Sequence, residues 1–334
     1  MQIILDVMGG DQRPDTLIEG GVSAGRTFDL DVVFVGDPAV IRLSLSKLGV
    51  HEGSKFSILA SQSIIRMDDP PVRAVRNKKD SSMMRGLCAL RDGAGDALVS
   101  PGNTGAAVAG SLFVLGRIHG IPRPGLVAHL PSIDGDDFAL VDVGATVDCE
   151  PEHLVQFASM GSIYARDVMG IPEPSVGLLS IGEEKGKGNR LASKTYSMLQ
   201  DAPIAFAGNV ESHQLLSGRP VDVVVCDGFV GNVFLKATEG GVGAIVSLLK
   251  AGLTSSVRAK IGALLLRPVF RQLVGRLDYQ SRGGAPLLGV DGVVIVAHGR
   301  SNADAILGAI DVARLAVSSG MRTHLAESVE GKVA

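Results

Sequence analysis

Short apolar runs alternate with amphipathic stretches along the whole chain. Residues 3–5, 31–35, 56–59, 97–99, 126–130, 138–143, 176–181, 221–225 and 293–296 are brief and rich in Val, Ile and Leu. Such runs read as strands covered on both faces. Between them, residues 15–24, 40–48, 83–90, 112–118, 154–168 and 191–199 carry apolar positions at helical spacing. This alternation predicts an α/β fold with a mostly parallel sheet and right-handed crossovers.

The polar positions cluster where the apolar runs stop. Ala97-Leu98-Val99 passes into Ser100-Pro101-Gly102-Asn103-Thr104 and then into small residues, Gly105-Ala106-Ala107-Val108-Ala109-Gly110. Strand, polar glycine turn and small-residue helix together aim backbone N–H groups and a helix dipole at an anion. A tight βα turn with no ligand has the same pattern. The stretch is neither a Walker loop, since no Gly-Lys-Ser/Thr follows, nor a dinucleotide fingerprint. Similar turns recur at Asp6-Val7-Met8-Gly9-Gly10-Asp11, Asp142-Val143-Gly144-Ala145, Gly182-Glu183-Glu184-Lys185-Gly186-Lys187-Gly188-Asn189, Cys226-Asp227-Gly228-Phe229-Val230-Gly231-Asn232 and Ala297-His298-Gly299-Arg300-Ser301-Asn302. Open α/β sheets place ligands at such strand ends.

Composition narrows the class. The 334 residues suffice for one large α/β domain or two lobes, and 46% apolar with 20% charged residues is ordinary globular usage. A net charge of −3 argues against bulk nucleic-acid binding. Cys88, Cys149 and Cys226 are far apart, without zinc spacing, as in a reducing cytoplasm. The start, Met1-Gln2-Ile3-Ile4, has no signal-peptide pattern, and no apolar run reaches membrane-span length.

Three stretches admit two readings each. Arg73 to Ser82 holds four cations in seven residues: a solvated basic loop with a cap at Asp80 or Ser81, or an anion clamp. Cys149 and His153 are four apart: a thiolate with its base, or a buried cysteine beside a capping histidine. Gly240 to Leu277 lacks acids but carries Lys250, Arg258, Lys260, Arg267, Arg271 and Arg276 among many aliphatic residues. It predicts a helical hairpin, broken near Gly252 and Thr254-Ser255-Ser256, either buried between subunits or offered to an anionic surface.

Taken in order, these turns, with Lys78-Lys79-Asp80-Ser81-Ser82-Met83 and Gly283-Gly284-Ala285-Pro286-Leu287-Leu288-Gly289, resemble the bacterial phosphate acyltransferase family (acyl-ACP:phosphate acyltransferase, PlsX). Gln12, Pro101 and Arg300 depart from its pattern; the family usually has His at the first position and small residues at the other two. The resemblance implies a homodimer of Rossmann-like three-layer α/β/α subunits. The reaction it implies is transfer of a long-chain acyl group from acyl carrier protein (ACP) to inorganic phosphate, giving acyl phosphate for phospholipid synthesis. It also implies a cytoplasmic protein held peripherally at the inner face of the membrane, handing product to a glycerol-3-phosphate acyltransferase. Neither metal nor organic cofactor is expected.

The chemistry assigns roles. Phosphate near neutrality is partly a dianion, and a thiol of pKa about 8.5 leaves without strong acid help. The enzyme must therefore hold both substrates and stabilise the oxyanion. The expected pocket joins Lys185, Lys187 and Asn189 to the Gly102-Asn103-Thr104 turn, with Lys185, Asn189 and Asn103 as catalytic residues. Asp6, Gly9, Gly10, Asp11, Lys79, Ser81, Ser100, Gly188, Asp227, Gly228, Asn232, His298 and Asn302 complete the binding set. Arg258, Lys260, Leu264, Leu265, Arg267 and Arg271 form the expected membrane or ACP surface within a hairpin at 240–278, inside a single catalytic domain spanning 1–334.

Overall fold

The computed structural model describes residues 1–132, 137–270, 283–329 and 331. The strands are β1 (Gln2–Asp6), β2 (Asp31–Gly36), β3 (Phe56–Ala60), β4 (Ala97–Ser100), β5 (Gly125–Pro131), β6 (Asp137–Val141), β7 (Ser175–Ser180), β8 (Ala205–Glu211), β9 (Val223–Val225), β10 (Ala285–Leu288) and β11 (Val293–Val296). The helices are α1 (Pro14–Thr27), α2 (Pro38–Lys47), α3 (Pro71–Asn77), α4 (Ser82–Arg91), α5 (Thr104–Val114), α6 (Pro151–Asp167), α7 (Arg190–Gln200), α8 (Ser212–Ser217), α9 (Gly228–Thr254), α10 (Val257–Leu265), α11 (Ala303–Ser318) and α12 (Met321–Val329).

All these strands form one sheet in the order β3-β2-β1-β4-β11-β10-β5-β6-β9-β7-β8. Each half is parallel within itself: β3 to β11 on one side, β6 to β8 on the other. Between them β11 and β10, β10 and β5, and β5 and β6 all pair antiparallel. Three reversals turn the second half against the first, so their carboxyl ends lie at opposite edges of the sheet. The apolar pattern shows strands but not direction, so the reversal is new information. Two strands are absent from the sequence-based set. β8 alternates exposed and half-buried positions up to Gly208 and buries only Asn209 and Val210, and β10 is four residues beginning Ala-Pro.

The sheet separates two cores. One face packs Leu17, Ile18, Phe157, Tyr164, Ile306 and Ile310 from α1, α6 and α11. The other packs Val75, Met84, Leu87, Ala107 and Leu215 from α3, α4, α5 and α8. The fold is thus a three-layer α/β/α arrangement. The helix expected at 112–118 ends sooner, at Val114, because Gly116 takes a positive φ of 81°.

Helix α9 begins inside the sheet's turns and runs on for 27 residues. The helix that enters the expected hairpin thus starts at Gly228, ahead of 240. Ser256 caps α10 by accepting from Ala259 N, and the two helices meet at 118°. No side chain of α10 is buried. Among the described residues no single helix is long and apolar enough to cross a membrane. Arg271, Arg276 and the expected return at 271–278 lie outside the described residues.

Candidate active site

Three turns interlock at the carboxyl edge of the first half-sheet. Asp6, at the end of β1, is fully buried, and its Oδ1 accepts from the amides of Met8 and Gly9. Its Oδ2 accepts from Ser100 Oγ at 2.8 Å, while that hydroxyl accepts from Gly102 N at 3.2 Å. One carboxylate thus shapes the turn after β1 and ties it to the turn after β4. A methyl group on Gly9 would lie 2.9 Å from Gly102 Cα, and Gly10 has φ +81° with the Pro101 and Gly299 carbonyls against it. Only glycine permits this approach. The third turn joins when Asp11 N donates to Gly299 O at 2.7 Å.

The cap residues explain several expected site positions differently from direct catalysis. Asn103 Oδ1 accepts from Ala106 N at the start of α5, and its amide donates to the carbonyls of Arg66, Met67 and Asp69. All its hydrogen-bonding capacity toward an oxyanion is thereby engaged, so Asn103 holds the 66–69 loop to the start of α5. Asn302 caps α11, Ser81 caps α4, Asn189 caps α7 and Asp227 caps α9. Lys79 is exposed in the turn before α4, and the neighbouring Lys78 pairs with Asp69 at 2.5 Å.

His298 is the donor the cluster turns outward. Its Nδ1 accepts from Arg300 N at 3.1 Å, so the neutral ring carries its proton on Nε2. Among the described residues the Thr104 and Gly105 amides at the start of α5 have no protein acceptor, and the helix dipole points the same way. Two of the positions that depart from the family pattern meet here: Gln12 Nε2 donates to the Arg300 carbonyl at 3.4 Å. The third, Pro101, packs on Gly10.

A groove of about 350 Å³ opens beside this cluster. Asp11, Gly102, Thr104, His298 and Gly299 form one end; Leu126, Val143 and Asn232 form the other. Asn232 reaches it from α9, its amide packed against Gly144. Asp142 builds that wall, with a buried carboxylate that accepts from the amides of Leu126, Gly144, Ala145 and Thr146.

Lys185, Lys187, Gly188 and Asn189 are elsewhere. They follow β7, six strand spacings or roughly 29 Å from β4 and at the opposite edge. Lys185 lies over the Tyr196 ring and donates to Gln200 Oε1. Gly188, Asn189 and Asp227 instead line a second, mostly apolar cavity of about 590 Å³. Within one chain the single pocket expected from the sequence therefore separates into two places. Gly228 belongs to the wall around Asp142, where an added methyl would lie 2.6 Å from the carboxylate.

Cys149 sits beside a capping histidine. His153 Nδ1 accepts from Glu150 N at the start of α6, and Cys149 Sγ donates to Thr146 O. Burial first, then the Asp142 charge, pushes the Cys149 thiol up to about 12.

Comparison with known proteins agrees with this architecture. A family model described as "Fatty acid synthesis protein" matches residues 1–324. A phosphate acyltransferase of Desulfitobacterium hafniense (strain Y51) is 47% identical over 320 residues, covering 96% of this chain and 95% of that protein. One of Heliobacterium modesticaldum is 46% identical over 333 residues, covering 100% and 99%. Among solved structures, a phosphotransacetylase from Streptococcus pyogenes superposes with a TM-score of 0.61 at 16% identity, covering 95% and 94% of the two chains. A branched-chain phosphotransacylase from Enterococcus faecalis gives 0.56 at 14%, covering 95% and 99%; at such identities the likeness is one of fold. Near-half identity over the full length leaves one assignment: the chain belongs to the phosphate acyltransferase family and is an acyl-transferring enzyme.

Proposed function

We propose that the enzyme moves a long-chain acyl group from the thioester of acyl-ACP to inorganic phosphate at the groove beside the three turns. The observation that carries this reading is the convergence on one groove end of the His298 ring, the free amides of α5 and the glycine turns locked by Asp6. Phosphate is held there by backbone amides and the helix dipole. A phosphate oxygen of hydrogen phosphate attacks the thioester carbonyl, the tetrahedral oxyanion forms against the same donors, and the C–S bond breaks as the proton lost by the hydrogen phosphate passes to sulfur, releasing the ACP thiol. Asp11 lines this end and orients cations or water rather than phosphate itself, which a carboxylate repels.

Partner contacts follow from the hairpin. Ile245, Leu248, Leu249, Ile261, Leu264 and Leu265 are exposed, with Lys250, Arg258, Lys260 and Arg267 among them. This surface suits the anionic face of a membrane and the acidic helices of ACP. The stems of the same helices suit packing in a homodimer. Cytoplasmic location with peripheral membrane attachment then places acyl phosphate near the glycerol-3-phosphate acyltransferase that consumes it.

The test is phosphate-dependent release of ACP thiol from palmitoyl-ACP, with the acyl phosphate trapped as hydroxamate. Release that needs phosphate and yields hydroxamate supports the reading. Release without phosphate identifies a thioesterase and overturns it.

A further inference from the structure

We infer that the groove running away from the three turns is the acyl-chain site, and that Ala128 and Leu235 set the length of chain it takes; the inference rests on the acyl-transfer reading above. The groove's floor is a row of side chains across three strands. Ala285 of β10 pairs with Val296 of β11, and continuing the β10–β5 register from Leu287↔Leu126 sets Ala128 beside Ala285. Two alanines in the middle of this row leave a trough that larger side chains would fill. The next row, Leu126 with Leu287, rises beyond it and, with Val143, forms the apolar end.

The roof is one stripe of α9. Asn232, Leu235, Lys236 and Glu239 all line the groove, at the i, i+3, i+4, i+7 spacing of a single helix face. Leu235 covers the trough. Lys236 is exposed and Glu239 partly so, which fits the rim of a groove with a wet edge and a dry floor.

Direction follows from chemistry. The acyl carbonyl must sit where the phosphate sits, at Gly102, Thr104, His298 and Gly299. The tail can then run only over Val296, Ala285 and Ala128 toward Leu126. Two strand spacings, roughly 10 Å, and a further two residues along β5, roughly 7 Å, give it a path far longer than a short acyl group needs. Each methylene that finds dry apolar contact is worth about fourfold in binding.

The experiment measures kcat/KM for phosphate-dependent transfer from a series of acyl-ACP donors, from butyryl to palmitoyl, in the whole enzyme. Ala128→Phe fills the trough from below and Leu235→Trp from above. The palmitoyl-to-butyryl ratio is expected to fall about tenfold in each, with the preferred chain moving shorter; Leu235→Ala moves it longer. Because Ala128 is buried in a central strand, Leu235→Trp on the partly exposed helix provides the variant least exposed to misfolding. Equal loss at every length, or an unmoved preference, overturns the inference while leaving acyl transfer standing. Wild-type enzyme that transfers no acyl group to phosphate from any donor overturns both.

Discussion

Ser100 Oγ donates to Asp6 Oδ2 at 2.8 Å, and both residues are fully buried. The pair joins the ends of β1 and β4, and the same two side chains order the amides of Met8, Gly9 and Gly102. Removing the hydroxyl strands a buried carboxylate oxygen and frees the Gly102 turn. Ser100→Ala is expected to cost about 2 kcal/mol of stability and to raise the KM for phosphate. Urea unfolding with an unchanged m-value reads the first, initial rates the second. A loss under about 0.5 kcal/mol would show that the turns do not depend on this bond.

Gly10 gives a second view of the same lock. Its positive φ and the carbonyls of Pro101 and Gly299 leave no room for a methyl group. Gly10→Ala is expected to lower stability by more than the roughly 1 kcal/mol of an ordinary glycine replacement and to reduce kcat/KM at least tenfold. Thermal melts beside kinetics separate local distortion from global unfolding. Wild-type kinetics in a folded Gly10→Ala protein would remove the three-turn cluster from the phosphate site.

Cys149 gives a prediction in pH. With its folded thiol near 12 and an unfolded thiol near 8.5, it stays protonated through neutrality and cannot act as a thiolate. Cys149→Ser is expected to keep most activity, and the rate profile to show no thiol inflection between about pH 8 and 9. The linkage has a definite sign. Above the unfolded value the unfolded chain loses a proton that the folded chain keeps, so stability falls as pH rises from about 8.5 toward 12. Denaturation series at pH 7 and pH 10 are expected to show a steeper loss in wild type than in Cys149→Ser.

What could be read beforehand follows from what side-chain pattern encodes. Val and Ile runs ending in glycine and aspartate marked nearly all the strands and the turns that follow them. Asn103 is legible as a polar position before a small-residue helix, whereas the helix that Asn302 caps is not among those the sequence pattern predicts. The role of Asn103 was not legible, because an amide that caps a helix and one that binds an oxyanion look alike in a sequence. Strand direction was equally hidden: Leu126-Val127-Ala128 and Phe138-Ala139-Leu140 read alike whether they run together or, as here, against each other. The reversal puts the Lys185 turn at the opposite edge from Gly102, on top of the six strand spacings between β4 and β7. The groove's floor went unread because alanines at 128 and 285 are informative only once the register sets them side by side. His298 was in view, but its outward-facing proton depends on the contact from Arg300 N.

The hairpin prediction concerns membranes. Leu264 and Leu265 are 67% and 75% exposed beside Arg258 and Lys260. Each such side chain gains about 1.5–3 kcal/mol on leaving water. Leu264→Glu with Leu265→Glu is expected to weaken binding to vesicles of anionic phospholipid by more than tenfold, and wild-type binding to weaken with salt. Flotation with such vesicles at low and high salt checks both. Undiminished flotation of the double variant would rule the hairpin tip out as the anchor.

Lys185 and His298 provide the sharpest test of how the site is divided. The carboxyl ends of their strands, β7 and β11, face opposite edges of the sheet five strand spacings apart, and Lys185 is engaged with Tyr196 and Gln200. Side chains so far apart act on the reaction independently, and their effects on the activation free energy add within about 0.5 kcal/mol. Lys185→Ala, His298→Ala and the double variant, each measured for kcat/KM with phosphate varied, close a double-mutant cycle. His298→Ala is expected to lose about a hundredfold to a thousandfold, as for one donor at an oxyanion, and Lys185→Ala to leave that loss unaltered. A coupling above about 1 kcal/mol means that the two side chains meet. One chain cannot arrange that, so such coupling would place Lys185 of one subunit at the groove of another. Mixed dimers, with one variant in each subunit, would then recover a single working site in which neither residue is missing.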